Sequence, residues 1–487
     1  MSKMLFISRL RFVLFLSLIL LAPLSKYPSI ALPLYNFSSF RFGLYQLIAL
    51  LFMLLCIIPT YKYIPNMWTQ NKLAVTGLTV IVIVCILGLL GAIYKERSAL
   101  LVVSIIFLVV LVACSWWYAT NKLPGKYYKL IIKLVLVFGI VFGALGIGQF
   151  MVSTFSSDTL GILCKGCVGG VLGFPRINLF AAEPQFFANA MLPFFFIALT
   201  LSYYKRNKLN SSALFIVSLS IGLTFSRGAF IAVFIGIIFL LLAIIYKKSV
   251  SYKKVLLVIS IAFTGVLVSF GLLMASASYR YRDTPNISYD TLNTMLGQLS
   301  AGYIELPAKH INNKTADSPA VIQTSTTPSN EVFVSPGFIE ASANERLGAA
   351  QLALQAWKHD PKTILTGVGP GNLGPFVISN IDNYAPNNLT VYIFYILVLS
   401  EMGLLGLSAF IMLIFSALYM ITRYSLKING ELSVVYLAIS ASLVGFLVQY
   451  WFFGTYINAI YIWVYIGIAL GIGSLPLKGY NIRVHEK

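Results

Sequence analysis

The sequence predicts an all-α polytopic membrane protein, on three observations. Of 487 residues, 59% are apolar and only 10% charged, with a mean hydropathy of +0.86, whereas ordinary globular chains carry roughly a quarter charged residues. A soluble enzyme is excluded. Apolar runs of roughly 20 residues recur almost free of charge, the length a helix needs to cross a bilayer. The formal charge of +20, from 35 Lys and Arg against 15 Asp and Glu, resides mostly in bases flanking those runs. That placement reads as membrane orientation rather than nucleic-acid binding.

In chain order the runs give about twelve transmembrane helices: residues 12–24, 44–59, 73–94, 100–118, 130–152, 186–203, 209–225, 228–246, 255–274, 404–421, 432–453 and 456–473. The first, preceded by Lys3, Arg9 and Arg11, has the charge pattern of a signal peptide. No small-residue cleavage site follows it, so it reads as a retained helix. With the N-terminus in the cytoplasm, the alternate loops carry Lys205, Arg206 and Lys208, then Lys247, Lys248, Lys253 and Lys254, then Arg423 and Lys427. This asymmetry favours both termini in the cytoplasm. The chain divides into an N-terminal bundle of about nine helices, residues 1–274, a large outer loop, 275–403, and C-terminal helices with a tail, 404–487.

The loop begins rich in Ser, Thr, Asn and Pro, as in 315–330, and reads there as mobile. Over 344–359, Leu347, Ala350, Leu354 and Trp357 recur at near-helical spacing after the cap candidates Ser342 and Asn344. An amphipathic helix on the outer surface is expected, stopped by Pro361. The apolar stretch 391–400 is too short to span alone and reads as an interfacial or re-entrant segment.

Bases on the outer side run against the orientation rule. Arg176 lies in Phe174-Pro175-Arg176-Ile177-Asn178, Arg227 in the minimal turn Ser226-Arg227-Gly228, and Arg346 heads the loop helix. Three guanidinium groups from separate segments could converge on a diphosphate through bidentate, charge-assisted hydrogen bonds. Alternatively, each snorkels, or pairs singly with a carboxylate or lipid phosphate. Glu183-Pro184 opens the sixth span, where a carboxylate suits the helix dipole and Pro the first turn. The same carboxylate at the membrane edge is also placed to take a proton from an acceptor hydroxyl or orient a sugar.

Other candidates carry less. Of the three histidines, His485 lies in the tail, His359 ends the loop helix and His310 lies in irregular loop; imidazole titrates near the right pH for base work. Cys56, Cys85 and Cys114 fall within apolar runs, while Cys164 and Cys167 lie in a loop, as a local disulfide or two free thiols; no further zinc ligands accompany them. Gly367-Val368-Gly369 lacks a strand-turn-helix context for a dinucleotide fingerprint and reads as a tight turn.

The order of these features resembles the O-antigen ligase and O-antigen polymerase superfamily of bacterial envelope glycan assembly. The resemblance rests on Pro175-Arg176 with Glu183-Pro184, on Ser226-Arg227-Gly228-Ala229, on 346–361 leading into Gly367-Val368-Gly369-Pro370-Gly371-Asn372, and on Glu401-Met402-Gly403-Leu404-Leu405-Gly406. It implies a helical inner-membrane enzyme that joins glycans on the periplasmic face. The donor would be an oligosaccharide on a polyprenyl diphosphate, the acceptor a glycan, lipid or protein hydroxyl, and neither nucleotide nor metal would be needed as a cofactor. It also implies that Arg176, Arg227 and Arg346 handle the diphosphate. Ligases of this superfamily usually place a His-Asn pair before the Glu-x-Gly-x-x-Gly segment. Here Pro386-Asn387-Asn388 stands somewhat upstream, and an amide is no base. Asn387 and Asn388 are therefore expected as substrate-binding groups, and the missing His points to a polymerase rather than a ligase, or to a base supplied by Glu183. A transporter or flippase of lipid-linked saccharides is the rival class, though such proteins usually show repeated halves with mid-membrane binding.

Overall fold

A computed structural model describes residues 2–31, 41–122, 127–156, 174–247, 251–280, 287–300, 336–387, 389–456 and 458–476, with residues 282, 304 and 306. Cys164, Cys167, His310, Asn388, His485 and the polar stretch 315–330 lie outside them.

Among the described residues the chain is almost wholly helical: α1 (Ser2–Leu20), α2 (Leu44–Gln70), α3 (Lys72–Leu90), α4 (Lys95–Asn121), α5 (Tyr128–Phe155), α6 (Pro184–Tyr204), α7 (Lys208–Leu223), α8 (Arg227–Tyr246), α9 (Tyr252–Arg280), α10 (Ile287–Ser300), α11 (Pro336–Trp357), α12 (Pro361–Thr366), α13 (Leu373–Asn380), α14 (Phe394–Lys427), α15 (Glu431–Gln449) and α16 (Ile460–Gly473). One antiparallel pair, β1 (Ser29–Ala31) and β2 (Arg41–Gly43), joins α1 to α2 with Ser29 opposite Gly43. Nine of these helices are long and apolar enough to cross a membrane. The protein is a multi-pass, all-helical membrane protein. Two of the remaining expected spans, α7 and α16, are shorter apolar helices, and α1 carries Lys3, Arg9 and Arg11 along its length.

The helices alternate between two ends. At one, Tyr45 Oη donates to the Leu18 carbonyl at 2.6 Å, the Ile177 amide to Leu223 at 3.3 Å and the Phe394 amide to Tyr450 at 2.9 Å. At the other, Trp116 Nε1 donates to Ser474 Oγ at 3.1 Å, and Lys247 Nζ to the carbonyls of Ser425 and Ile428 at 3.1 and 2.7 Å. These last bonds satisfy carbonyls at the end of α14, where a cation also suits the helix dipole.

Two helices form the centre. On α6 almost every side chain from Pro184 to Ser202 is buried, and α16 is buried from Ile460 to Ile472. The α16 backbone approaches α4 closely, since a Cβ at Gly467 would stand 2.6 Å from the Val112 carbonyl oxygen. Small residues at such crossings give membrane helices the van der Waals contact that replaces the hydrophobic drive.

Two local expectations need correction. Pro59 does not end the second span: α2 continues through Pro59 and Pro65 to Gln70, because neighbouring groups in a bundle can re-satisfy the backbone that Pro frees. The loop helix begins at Pro336, so Ser342 and Asn344 lie inside it rather than capping it. Its buried stripe is Ala349, Ala350, Ala353 and Ala356, while Leu347 is exposed. The short segment before the last group of spans is borne out: within α14 residues 394–402 form a helix of their own, separated by the non-helical Gly403 (φ 64°, ψ −168°) from the long helix that starts at Leu404, and Phe394 stacks there on Tyr450 with ring centroids 4.1 Å apart.

Candidate active site at the arginine end

The segment before α6 is fastened by its polar side chains. Gln149 Oε1 of α5 accepts from the amides of Asn178 and Leu179, each at 2.9 Å. This holds Arg176 against the turn between α7 and α8, where its Nε donates to the Thr224 carbonyl at 3.0 Å and its Nη2 to Phe225 at 3.2 Å. Phe225 adopts the left-handed conformation, φ 47°, which disfavours a bulky side chain. Packing over-determines it: Phe225 is fully buried and makes edge contacts with Phe174, Phe230 and Phe270. The strained turn delivers Arg227 as the first residue of α8.

The structure brings Arg176, Arg227, Arg346 and Glu183 together, all four half-buried. Burial pulls the Arg176 guanidinium down to about 10; Glu183 opposes that shift, while Arg227 and Arg346 add to it. Arg176 stays cationic at neutral pH, and the three arginines repel one another, Arg346 acting on Arg227 as well. Arg346 also lies over the ring of Tyr392, 4.9 Å from its centroid, a cation–π contact that fixes the guanidinium from one face. Burial raises the Tyr392 phenol; Glu345 and Glu183 push it the same way and Arg346 opposes them.

Glu183 is the N-cap residue of α6, yet its side chain makes no bond to the helix amides. Instead Gln185 Nε2 donates to Glu183 Oε2 at 2.7 Å, and no ion pair joins Glu183 to the arginines among the described residues. The carboxylate is oriented without being neutralised by direct contact.

Elsewhere at the same end, the glycine-rich loop is a latch. The amides of Val368 and Gly369 donate to the carbonyls of Ser400 and Glu401, both at 2.9 Å, and the Gly371 amide donates to Glu401 Oε1 at 2.8 Å. Asn372 Oδ1 accepts from Ile93 at 3.0 Å, and its Nδ2 donates to Val368 at 2.8 Å. The tight turn expected at Gly367-Val368-Gly369 thus docks the loop onto α14 and the α3–α4 connection.

Asn387 belongs to a different neighbourhood: its carbonyl accepts from Arg97 Nη1 at 3.0 Å and lies against Gly374. His359 is partly exposed, beside Asp360 at 3.4 Å and edge-on to Phe376. Among the described residues no three His, Cys, Asp or Glu side chains gather as metal ligands. Sequence reasoning missed Tyr392, Gln185 and Gln449. Gln449 is fully buried beside Gly228, with neither amide atom hydrogen-bonded among the described residues. Only Gln185 had a signal, standing two positions after Glu183. The chain matches no protein-family model and no curated protein.

Proposed function

We propose that the protein is an inner-membrane glycosyl transferase that polymerises or ligates polyprenyl-diphosphate-linked oligosaccharide on the periplasmic face, as in O-antigen or surface polysaccharide assembly. One observation carries the reading: Arg176, Arg227 and Arg346, from three separate segments, act electrostatically on one another, and Arg176 is also within reach of the half-buried carboxylate of Glu183. Mutually repelling cations with one carboxylate among them suit an anion of more than one charge, and a diphosphate offers oxygens to every guanidinium fork.

The reaction is displacement at the anomeric carbon. The acceptor hydroxyl oxygen forms the new bond to that carbon and the bond to the diphosphate oxygen breaks. The leaving diphosphate takes the electron pair, and Glu183 accepts the hydroxyl proton. Arginines aimed at the leaving group stabilise charge as it develops, an effect worth several kcal/mol in a water-poor site. The diphosphate is itself the activating group, so no nucleotide or metal cofactor is required.

Lys205, Arg206, Lys208, Lys253, Lys254, Arg423 and Lys427 gather at the end opposite the arginines, which supports the reading that this end and both termini face the cytoplasm. Within the class a polymerase is favoured, because Asn387 stands near where ligases carry histidine. A protein O-oligosaccharyltransferase shares the donor and differs in the acceptor. The test is deletion of the protein from its cell, read on a glycan gel. Loss of long chains with single repeats still attached is expected. Loss of all attached repeats with lipid-linked polymer accumulating would indicate a ligase, and an intact pattern overturns the proposal. Passage of lipid-linked saccharide across vesicles without bond formation would establish a flippase instead.

A further inference from the structure

At the end opposite the arginines, α14 separates two clefts that the proposed reaction does not use. The larger, of about 880 Å³, has Lys72 on one wall and Phe415, Tyr419, Arg423 and Lys427 on the other. The smaller, of about 460 Å³, shares those last four residues and is closed by Phe239 and Tyr246 of α8. Phe415 and Tyr419 form an exposed ridge between them, 61% and 62% accessible. These walls belong to helices long and apolar enough to cross a membrane, so hydrocarbon is their natural surrounding.

The mouth is chemically distinct from the walls. Lys72, Arg423 and Lys427 are exposed there, and neither lining contains an Asp or Glu. Arg423 is held along the ridge, its Nη1 donating to Tyr419 Oη at 3.3 Å and its guanidinium 5.8 Å from the ring centroid. Three cations above two apolar grooves make a site for one phosphate carrying two chains. Basic pockets between membrane helices hold lipid headgroups for this reason.

We infer that these clefts bind one anionic phospholipid, its phosphate at Lys72, Arg423 and Lys427 and its acyl chains on either side of the Phe415–Tyr419 ridge. The inference is independent of the proposed transferase activity. It differs from general attraction to a charged surface, which would act equally through Lys205 and Arg206, exposed bases at the same end but outside either cleft.

The experiment uses the full chain purified in detergent and exposed to equal amounts of phosphatidylglycerol and phosphatidylcholine, with retained lipid read by native mass spectrometry. One phosphatidylglycerol should be retained in clear preference. Lys72→Gln, Arg423→Gln and Lys427→Gln should each lower retention about fivefold, while the double variant Lys205→Gln, Arg206→Gln leaves it unchanged. Equal retention of the two lipids by the wild-type chain overturns the inference without reference to any variant. So does equal loss in the Lys205, Arg206 control, or a co-purifying protein or second copy in place of lipid.

Discussion

Arg11 donates from both Nε and Nη2 to the carbonyl oxygen of Leu55, at 3.0 and 2.7 Å, the acceptor that Pro59 leaves without an amide partner. In an uninterrupted helix the amide of residue 59 would fill that role. The guanidinium also lies 5.5 Å from the Trp117 ring centroid. A charge on an apolar helix and a proline inside another thus satisfy each other, which explains how α2 continues past Pro59 and why α1 tolerates an arginine within its apolar length.

That pairing predicts coupling. Arg11→Met should destabilise the wild-type chain by about 2 kcal/mol, the usual cost of an orphaned buried acceptor, but by less than about 1 kcal/mol when Pro59→Ala restores the amide. A double-mutant cycle from unfolding in mixed detergent measures it. Strictly additive effects would show that the two residues are unrelated.

The proposed orientation predicts labelling. In a cysteine-free background, a Cys at Ser329 or Leu347 should react with an impermeant thiol reagent from the periplasm. One at Asn429, in the α14–α15 turn, should react only after the inner membrane is permeabilised. The reverse pattern would invert the topology and move the arginines to the cytoplasmic face.

Much of this is legible in the residues alone. Spans declare themselves by length and apolarity: each apolar run overlaps a helix, and nine of those helices are long and apolar enough to cross a membrane. Arg176, Arg227 and Arg346 stand out because the orientation rule disfavours them, a signal that survives without knowing their neighbours. What fails are inferences carried over from soluble proteins. Pro59 looks like a stop because its rescue comes from Arg11, on another helix. Periodicity points to Leu347, Ala350, Leu354 and Trp357 as one face of α11; of these only Ala350 is buried, and close packing on α14 selects Ala349, Ala353 and Ala356 beside it. Tyr392 and Gln449 are invisible in the sequence because only the fold sets them beside Arg346 and Gly228. Glu401 is visible as a motif residue, but its role in receiving the glycine-rich loop needs the loop in place.

The latch predicts a sharp contrast among glycines. Gly367 and Gly403 have φ of 72° and 64°, and a Cβ on either would stand 2.3 Å from the backbone of Glu401 or Leu365. Replacement by Ala combines a disfavoured conformation with a backbone clash and should cost about 3 kcal/mol or more. A Cβ added at Gly348, in the middle of α11, would meet nothing within 4 Å, and Gly348→Ala should be neutral or stabilising by up to about 1 kcal/mol. Melting temperature and the monodisperse fraction in detergent report both; equal effects at the three positions would discount the latch.

If the donor is the lipid diphosphate proposed above, no metal cofactor is needed. With purified protein and lipid-linked oligosaccharide, turnover should persist in excess chelator, since the arginines would stabilise the leaving diphosphate. Loss of turnover that one added metal restores would require a different chemistry.

The sharpest prediction concerns the arginines as a set. Arg176, Arg227 and Arg346 affect one another's charge across segments 51 and 119 residues apart (227 − 176 and 346 − 227). A shared diphosphate would offer a pair of oxygens to each planar guanidinium fork. Lysine keeps the charge but loses the fork, so Arg→Lys at any one should lower turnover at least about tenfold, less than the roughly hundredfold or greater cost of losing an oxyanion donor outright, at unchanged membrane abundance. Arg176→Lys also removes donors from the Thr224 and Phe225 carbonyls, so its melting temperature must be followed alongside. Arg346→Lys is the cleaner case, because Tyr392 still offers a ring face to an ammonium. Glu183→Gln retains the contact with Gln185 but not the basicity, and should reduce turnover more than donor binding. Independent snorkelling predicts nearly silent Arg→Lys variants. Chain assembly by each variant at equal abundance decides between them, and three active lysine variants would end the shared site.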